Sequence, residues 1–309
     1  MSAATPLRWP AEAIWEAVAP LLPGFTVEVL PSIDSTNTEL MRRARAGCTE
    51  PVLLVAEQQT AGRGRLGRAW HSARGDSLMF SLGLPLAPAD WSGLSLAVGV
   101  SVAESLQPVP PPPGRPAPRI GLKWPNDLWL GGAGGERKLG GILVETASFV
   151  APQGAAAPAL AKAAASGADA SDASAATRYV VVGVGLNIRP QSGAAGMALP
   201  PASLHDIDPQ LDAPSVLLRV AAPLVAMLQS FEGYGFAPMQ ARFGLRDVLQ
   251  GRTVVLSDGH TGTAQGVGED GALWVLTASG MQCVTSSEVS VRPASLAATL
   301  PERSGGAPC

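Results

Sequence analysis

The sequence predicts a chain that mixes strands and helices over most of its length and ends in a small all-β module. Between residues 11 and 249, short apolar runs typical of buried strands alternate with stretches whose apolar residues recur at helical spacing. From Gly251 onward, four or five short apolar runs are separated by turn sequences such as Asp-Gly and Ser-Gly. This pattern indicates a module of hairpins about 45 residues long.

Composition excludes several classes of protein. The 309 residues suffice for one large domain or two smaller ones, and a formal net charge of −3 argues against a broadly basic nucleic-acid binder. Three scattered cysteines and three scattered histidines support neither a disulfide framework nor a metal site. The N-terminus lacks a signal-peptide pattern, and the apolar segment 216–228 is too short to span a bilayer. We therefore expect a soluble cytoplasmic protein.

The first elements follow from local signals. Residues 11–18 form a short apolar helix followed by two prolines, and residues 27–30 are strand-like. Thr36 and Glu39 have capping-box spacing, which predicts a helix that runs to about Arg45.

Buried strands and a further helix follow. Residues 51–58 and 77–84 are apolar enough to be buried strands, and residues 91–106 have helical apolar spacing. The proline-rich stretch 108–118 predicts a surface connector. Residues 119–124 predict a strand that ends at a Pro-Asn-Asp turn.

The second half contains two central strands and two helices. We expect residues 138–146 and 178–188 to be neighbouring strands. Residues 151–176, between them, hold 14 alanines and predict a disordered insertion. Residues 214–231 and 236–249 predict two helices, the first interrupted by a proline.

Residues 62–68, here called the Gly-Arg loop, hold three glycines and three arginines directly after a buried strand. Glycines let backbone N–H groups approach an anion, and arginine forks match carboxylate and phosphate. The loop predicts an anion-binding site, with an exposed basic loop or an RNA-binding patch as the alternatives. No P-loop occurs, and Gly183-Val184-Gly185 is not a dinucleotide fingerprint.

Three other segments carry polar groups at strand ends. Residues 123–127 present a cation, an amide and a carboxylate in one turn, although Asn-Asp after Pro is also ordinary turn chemistry. Lys138 opens an apolar strand, where it either meets an anion or extends to solvent. Asn187 ends another apolar strand and is a weak signal alone.

Together these segments resemble the biotin–protein ligases. The resemblance covers about residues 27–293 and rests on five motifs in the family's order: DSTN at 34–37, QTAGRGRLGRAW at 59–70, KWPND at 123–127, KLGGILVE at 138–145 and GVGLNI at 183–188. The run GRGRxGRxW is the most specific of them. Leu66 stands where some members have another arginine.

The resemblance implies an α/β (α+β) fold of the class II synthetase-like type, with a mixed sheet flanked by helices. It places a catalytic domain at residues 27–249 and a small SH3-like β-barrel at residues 250–293. Residues 1–26 are then an N-terminal extension and residues 294–309 a mobile tail. About 30 residues precede the DSTN motif, so we expect no winged-helix DNA-binding domain and no specific DNA binding.

The resemblance also implies a two-step activity. Biotin and Mg²⁺-ATP would give biotinyl-5′-AMP, and the biotinyl group would then pass to one lysine of a biotin carboxyl carrier domain, such as the carrier subunit of acetyl-CoA carboxylase. No membrane partner, no protein-held metal and a monomer or weak homodimer are expected. A lipoate–protein ligase is the alternative within the same fold, and a non-catalytic RNA-binding module is the alternative from another class.

The implied site residues fall into three groups. The catalytic residues are Lys138, Asp127 and Arg65, with Asp127 handling the acceptor ammonium. The residues implied to bind biotin or its adenylate are Ser35, Thr36, Asn37, Gln59, Arg63, Gly64, Arg65 and Lys138. The residues implied to bind the nucleotide or its metal are Arg68, Lys123, Asn126 and Asn187.

Overall fold

A computed structural model describes residues 7–70, 73–112, 117–132, 135–148, 177–191, 201–256, 259–285 and 292–293. The predicted insertion at 151–176 and the predicted tail at 294–309 lie outside the described residues, as does part of the proline-rich connector.

Helices and strands are interspersed between residues 11 and 249, as predicted. The helices are α1 (Ala11–Val18), α2 (Thr36–Arg45), α3 (Leu94–Leu106), α4 (Ala213–Tyr234) and α5 (Gln240–Gly244). The strands of the first 190 residues are β1 (Thr26–Leu30), β2 (Val52–Ala56), β3 (Ser77–Leu86), β4 (Arg119–Lys123), β5 (Asp127–Gly131), β6 (Arg137–Ser148) and β7 (Arg178–Asn187). The C-terminal strands are β8 (Thr253–Val255), β9 (Thr261–Val267), β10 (Leu273–Thr277), β11 (Gly280–Val284) and β12 (Arg292–Pro293).

The first seven strands form one mixed sheet in the order β1-β2-β3-β7-β6-β5-β4. Strands β1 and β2 are parallel, and the other neighbours are antiparallel. The expectation that residues 138–146 and 178–188 are neighbouring strands is confirmed, since residues 140–148 of β6 pair with residues 178–186 of β7. The mixed sheet flanked by helices is therefore the fold that the sequence predicted.

Each face of the sheet is covered differently. Along β7, Val180, Val182 and Val184 face the large core, together with side chains of α1, α3 and α4. The alternate residues Tyr179 and Val181 face a smaller cluster with α2. Because side chains alternate along a strand, Gly183 and Gly185 lie on the α2 face, and the absence of side chains there leaves room beside the smaller cluster.

The N-cap of helix α2 lies one residue earlier than the capping-box prediction placed it. Ser35 has extended backbone geometry and accepts the N–H of Thr38 at 3.4 Å, so Ser35 is the N-cap and Thr36 is already helical. The predicted end near Arg45 is confirmed.

Helix α4 corrects two predictions. It continues through Pro223 over 22 residues, so the predicted interruption was wrong. Its length and composition would also allow it to cross a membrane, so the prediction that the apolar segment is too short to do so was wrong. Its buried side chains include Leu217, Val220 and Leu224, which belong to the large core. Burial of several such side chains outweighs the roughly 3 kcal/mol that an interior proline costs. Helix α4 therefore packs in the core of the protein.

The predicted helix at 236–249 is largely replaced. Only a short 3-10 turn and α5 are helical, because the following residues pair with the edge strand β4. The N–H of Leu122 donates to the carbonyl of Arg246 at 2.7 Å, and the N–H of Val248 donates to the carbonyl of Leu122 at 3.0 Å. Strand β5, which begins at the last residue of the predicted Pro-Asn-Asp turn, was not predicted.

The C-terminal strands form a second, antiparallel sheet in the order β11-β10-β9-β8-β12. The five-strand count agrees with the sequence pattern, whereas closure into an SH3-like barrel stays a prediction. This sheet contacts the first one, since Trp124 donates its indole N–H to the carbonyl of Gly271 at 3.0 Å. Arg252 also pairs with Glu136, which precedes β6.

Asp247 lies at the junction of the two sheets and predicts a pH dependence of stability. One carboxylate oxygen accepts the N–H of Leu249 at 2.8 Å, and the other is buried without a hydrogen-bond partner. Burial raises the pKa of Asp247 to about 6, although the backbone N–H groups that it accepts from and the charge of Arg252 lower it. The folded state then binds the proton more tightly than the unfolded state, so stability falls as pH rises from about 4 to about 6 and stays lower above it.

We expect Asp247→Asn, which keeps an acceptor and removes the charge, to raise the melting temperature at pH 8. A gain of about 2–4 °C corresponds to about 1 kcal/mol in a domain of this size. The gain should vanish at pH 4, where Asp247 is protonated. Thermal unfolding at both pH values measures this, and an equal shift at both would contradict it.

Candidate active site

One cavity on the α2 face collects residues from widely separated parts of the sequence. It lies among the start of α2, the Gly-Arg loop, the turn after β4, and strands β3, β6 and β7. The predicted site residues that line it are Ser35, Thr36, Asn37, Gln59, Arg63, Gly64, Arg65, Arg68, Lys123, Asn126, Asp127 and Lys138. The lining also includes Trp70, Leu143, Gly183 and Gly185.

Two glycines of β7 make the cavity floor possible. A Cβ on Gly183 would lie 2.0 Å from Oδ1 of Asn37, and a Cβ on Gly185 would lie 2.7 Å from the indole ring of Trp70. Both distances are far below van der Waals contact. The Gly-Val-Gly segment therefore serves close packing of two side chains.

Asn37 is held on both ends of its amide. Its Nδ2 donates to the carbonyl of Leu143 at 3.1 Å and to Oε2 of Glu145 at 3.0 Å. Its Oδ1 accepts from the hydroxyl of Ser81 at 2.6 Å. These contacts fix the side chain of Asn37. If Asn37 binds biotin, as the resemblance implies, its amide must do so while it keeps these hydrogen bonds within the protein.

Gln59 and Thr36 form a second polar pair at the same end of the cavity. Oε1 of Gln59 accepts the backbone N–H of Thr36 at 2.7 Å and lies 3.2 Å from its hydroxyl. This contact joins the start of α2 to the segment that precedes the Gly-Arg loop. The geometry suits a small polar ligand group that carries both donors and acceptors.

The Gly-Arg loop forms a small hairpin. The N–H of Gly64 donates to the carbonyl of Arg68 at 2.7 Å, and the N–H of Trp70 donates to the carbonyl of Gly62 at 2.9 Å. At the tip, Leu66 has a left-handed backbone with φ 56°. The arginines lie on a defined turn beside the cavity.

Arg65 lies on this loop and is partly buried beside the cavity. Burial lowers the pKa of Arg65, the nearby Asp127 raises it, and Arg68 lowers it. Arginine remains protonated despite such shifts. A cation is thus held in a partly dehydrated position, where its interaction with an anion is stronger than in water.

Lys138 places an ammonium group in the cavity. Its Nζ lies 2.7 Å from Oδ1 of Asp127 and 5.7 Å from the centre of the Trp70 ring. The side chain is 42% exposed. A carboxylate and an aromatic face together fix the cation while leaving it open to a ligand.

The turn after β4 is attached to β6 by two hydrogen bonds. Nδ2 of Asn126 donates to the carbonyl of Ile142 at 2.7 Å, and the N–H of Ile142 donates to the carbonyl of Asn126 at 2.9 Å. Nζ of Lys123 lies 5.5 Å from the centre of the Trp129 ring. The turn thus presents Lys123 and Asp127 from a fixed position.

Asn187 is the one predicted site residue that does not line the cavity. Its Nδ2 donates to the carbonyl of Ala202 at 2.9 Å, and its Oδ1 accepts from Gln191 at 2.9 Å. Ala202 in turn donates its N–H to the carbonyl of Lys138 at 2.8 Å. Asn187 therefore connects the end of β7 to the segment beside Lys138.

Among the residues that line the cavity, few could coordinate a metal ion, so an ion that enters with ATP fits the site best. Within the described ranges, no group of three His, Cys, Asp or Glu residues could hold a metal. Mg²⁺ binds by one or two carboxylates together with substrate phosphates. Asp127, already paired with Lys138, is the carboxylate among the lining residues, so an ATP-bound Mg²⁺ would depend mainly on phosphate oxygens.

The sequence reasoning missed three residues of the site. Trp70 and Glu145 end two of the five motifs but were given no role, although the Trp70 ring lies against Gly185 and Lys138 and Glu145 accepts from Asn37. Ser81 carried no signal, because its importance arises from a contact with Asn37 across more than 40 residues of sequence.

Comparison with known proteins agrees with the fold and the motifs. A family model described as the biotin/lipoate A/B protein ligase family matches residues 29–155. The bifunctional ligase/repressor BirA of Escherichia coli is 32% identical over 281 residues, which cover 88% of this chain and 76% of that protein. The biotin–[acetyl-CoA-carboxylase] ligase of Paracoccus denitrificans is 29% identical and is covered over 98% of its length, against 84% of this chain.

A solved structure shares the fold. The biotin protein ligase from Aquifex aeolicus, in complex with biotin and ATP, superimposes with a TM-score of 0.64 and 27% sequence identity. The match covers 86% of this chain and 98% of that one. Because a family model matches and a relative above 30% identity is covered over 76% of its length, the chain belongs to the biotin/lipoate A/B protein ligase family.

Proposed function

We propose that the chain is an ATP-dependent biotin–[biotin carboxyl-carrier protein] ligase. In the first step, a carboxylate oxygen of biotin attacks the α-phosphorus of ATP, the bond to the bridging oxygen breaks, and pyrophosphate leaves. In the second step, a lysine amine of the carrier attacks the acyl carbon of biotinyl-5′-AMP, and AMP leaves. The named activities of the biotin ligase relatives support this assignment.

The observation that carries the proposal is the charge of the cavity. Asp127 is the carboxylate among the lining residues. Five cationic side chains line the same cavity: Arg63, Arg65, Arg68, Lys123 and Lys138. The biotin carboxylate and the ATP phosphates are both anionic and repel each other. Cations fixed between them before binding reduce that repulsion and stabilise the charge that develops on the α-phosphate.

We assign the residues by position in the cavity. Gln59 and Thr36 lie at the end suited to the ureido ring, and Lys138 lies where the biotin carboxylate would meet the α-phosphate. Asp127, beside Lys138, accepts the proton that the acceptor ammonium must lose before it attacks. When bound, Mg²⁺ would neutralise phosphate charge on ATP.

The partner is a carrier domain with an exposed lysine. We infer a carboxylase carrier, because the relative from Paracoccus denitrificans is named for acetyl-CoA carboxylase. We also propose that the protein acts in the cytoplasm, as a monomer or weak homodimer, without specific DNA binding. The Gly-Arg loop disfavours the RNA-binding alternative, since Arg63 pairs with a carboxylate and Arg65 is half-buried beside the cavity.

Pyrophosphate release tests the first step. The purified protein should release pyrophosphate from Mg²⁺-ATP when biotin is added and much less when lipoate is added. Equal release with lipoate would favour a lipoate–protein ligase, and no release with either acid would contradict the proposal.

Arg65→Gly should weaken retention of the adenylate more than its formation. The substitution removes a partly buried cation at the hairpin tip, where it helps to exclude water from a reactive mixed anhydride. We expect released biotinyl-5′-AMP to label an unrelated lysine-rich protein several-fold more than with wild type, measured by blotting for biotin. Arg42→Ala on the exposed face of α2 is the control. Adenylate formation without added labelling would contradict a retention role.

A further inference from the structure

Glu145 of β6 is a carboxylate shared by the core of the site and by the Gly-Arg loop. Its Oε2 accepts from Nδ2 of Asn37 at 3.0 Å. Both of its oxygens lie 3.3 Å from Nη2 of Arg63. Glu145 ends the motif at 138–145, but neither the implied site residues nor the reaction described above gives this carboxylate a role.

The Asn37 side of this contact is rigid. Asn37 is also bonded to the carbonyl of Leu143 and to the hydroxyl of Ser81, and β6 pairs with β7 through this region. An amide held at two other points orients the carboxylate that accepts from it. Glu145 is therefore a fixed point on the sheet.

The Arg63 side belongs to a segment whose internal bonds set its shape. Its two hairpin hydrogen bonds, from Gly64 to Arg68 and from Trp70 to Gly62, join residues of the hairpin to each other. They would persist if the hairpin moved as a unit away from the sheet. The ion pair of Arg63 with Glu145 joins residues 82 positions apart and connects the hairpin to β6.

We propose that Glu145 is a positioning residue that holds the Gly-Arg loop over the cavity through Arg63. In the second part of the proposal, which rests on the proposed function, this contact slows the escape of biotinyl-5′-AMP. Holding the loop in this way forms and breaks no covalent bond. Arg63 can still bind an anionic ligand through its other nitrogens, because only Nη2 contacts Glu145.

Trypsin cleavage of the ligand-free protein tests the first part, because Arg65 and Arg68 lie in the hairpin. Glu145→Gln keeps an oxygen that accepts from Asn37 but removes the charge that attracts Arg63. We expect cleavage after Arg65 and Arg68, followed by mass spectrometry, to be about two- to fivefold faster, the range that a partly exposed ion pair supports.

Glu104→Gln is a matched control. Arg242 and Glu104 form an ion pair with 44% and 29% exposed side chains, close to the 43% and 26% of Arg63 and Glu145, and lie away from the loop. The control should leave loop cleavage unchanged. Arg63→Gln should also speed cleavage, and adding Glu145→Gln to it should give no further increase. Equal cleavage of wild type and Glu145→Gln, or additive effects, would overturn the proposal.

Retention of the adenylate tests the second part. With Glu145→Gln we expect release of biotinyl-5′-AMP to rise about two- to fivefold while the rate of pyrophosphate release in the first turnover is unchanged. A purely structural role would instead lower the melting temperature and slow both steps together, which would overturn the positioning role. If wild type forms no adenylate, the proposed function fails, whereas the trypsin comparison still decides whether Glu145 holds the loop.

Discussion

Lys138→Ala should lower the rate of biotinyl-5′-AMP formation by about 10²–10³-fold, the usual loss when a preorganised electrostatic stabiliser is removed. The ammonium group is fixed by Asp127 at 2.7 Å and by the ring of Trp70. Its removal takes a cation from the place where two anions must meet. It also leaves Asp127 without its ion-pair partner, and the remaining negative charge repels the incoming phosphates.

Arg242→Ala provides the control for this variant, because it removes a cation of similar exposure from an ion pair outside the cavity. Biotin-dependent pyrophosphate release, measured on folded proteins, compares the two. Near-normal release by Lys138→Ala would show that the cation at the mouth of β6 is not part of the reaction.

Gly183→Ala should raise the KM for biotin about tenfold or more and lower the free energy of unfolding by about 1–3 kcal/mol. The added methyl group would lie 2.0 Å from Oδ1 of Asn37, which cannot yield easily because Leu143, Glu145 and Ser81 hold it. The start of α2 must then shift, and with it Thr36 at the end of the cavity assigned to biotin.

Gly233→Ala is the matched substitution. This glycine lies in α4, and a Cβ there would meet nothing within 4 Å, so the variant should be as stable as wild type or slightly more stable. Titration of biotin in the pyrophosphate assay gives the KM of both variants. An unchanged KM for Gly183→Ala would contradict the placement of biotin beside α2.

Local patterns in the sequence were sufficient to predict most of the fold. Nearly continuous apolar runs located β2, β3 and β7, because a strand buried on both faces needs apolar side chains on both, whichever strands it pairs with. The predictions that failed depended on distant contacts. Residues 246–248 leave the helical pattern to pair with β4, and α4 passes through Pro223 because its neighbours are buried.

The candidate site divides in the same way. Residues in compact motifs, such as Arg65 and Lys138, could be named from the sequence because their residue types suit anions at that spacing. Ser81 could not be named, and Glu145 could be placed in a motif but given no role, because their contacts with Asn37 exist only once the chain has folded. Asn187 was assigned to the nucleotide from its motif, whereas its amide contacts Ala202 and Gln191 outside the cavity lining.

Transfer of biotin to a carrier domain is the most direct test of the proposed ligase activity. The protein would be incubated with biotin, Mg²⁺-ATP and a biotin carboxyl carrier domain, beside a carrier whose acceptor lysine is replaced by arginine. Intact-mass spectrometry should show one biotinyl group on the carrier, none on the lysine variant, and none when ATP is omitted. An unmodified carrier under conditions where the protein is folded and ATP is present would contradict the assignment.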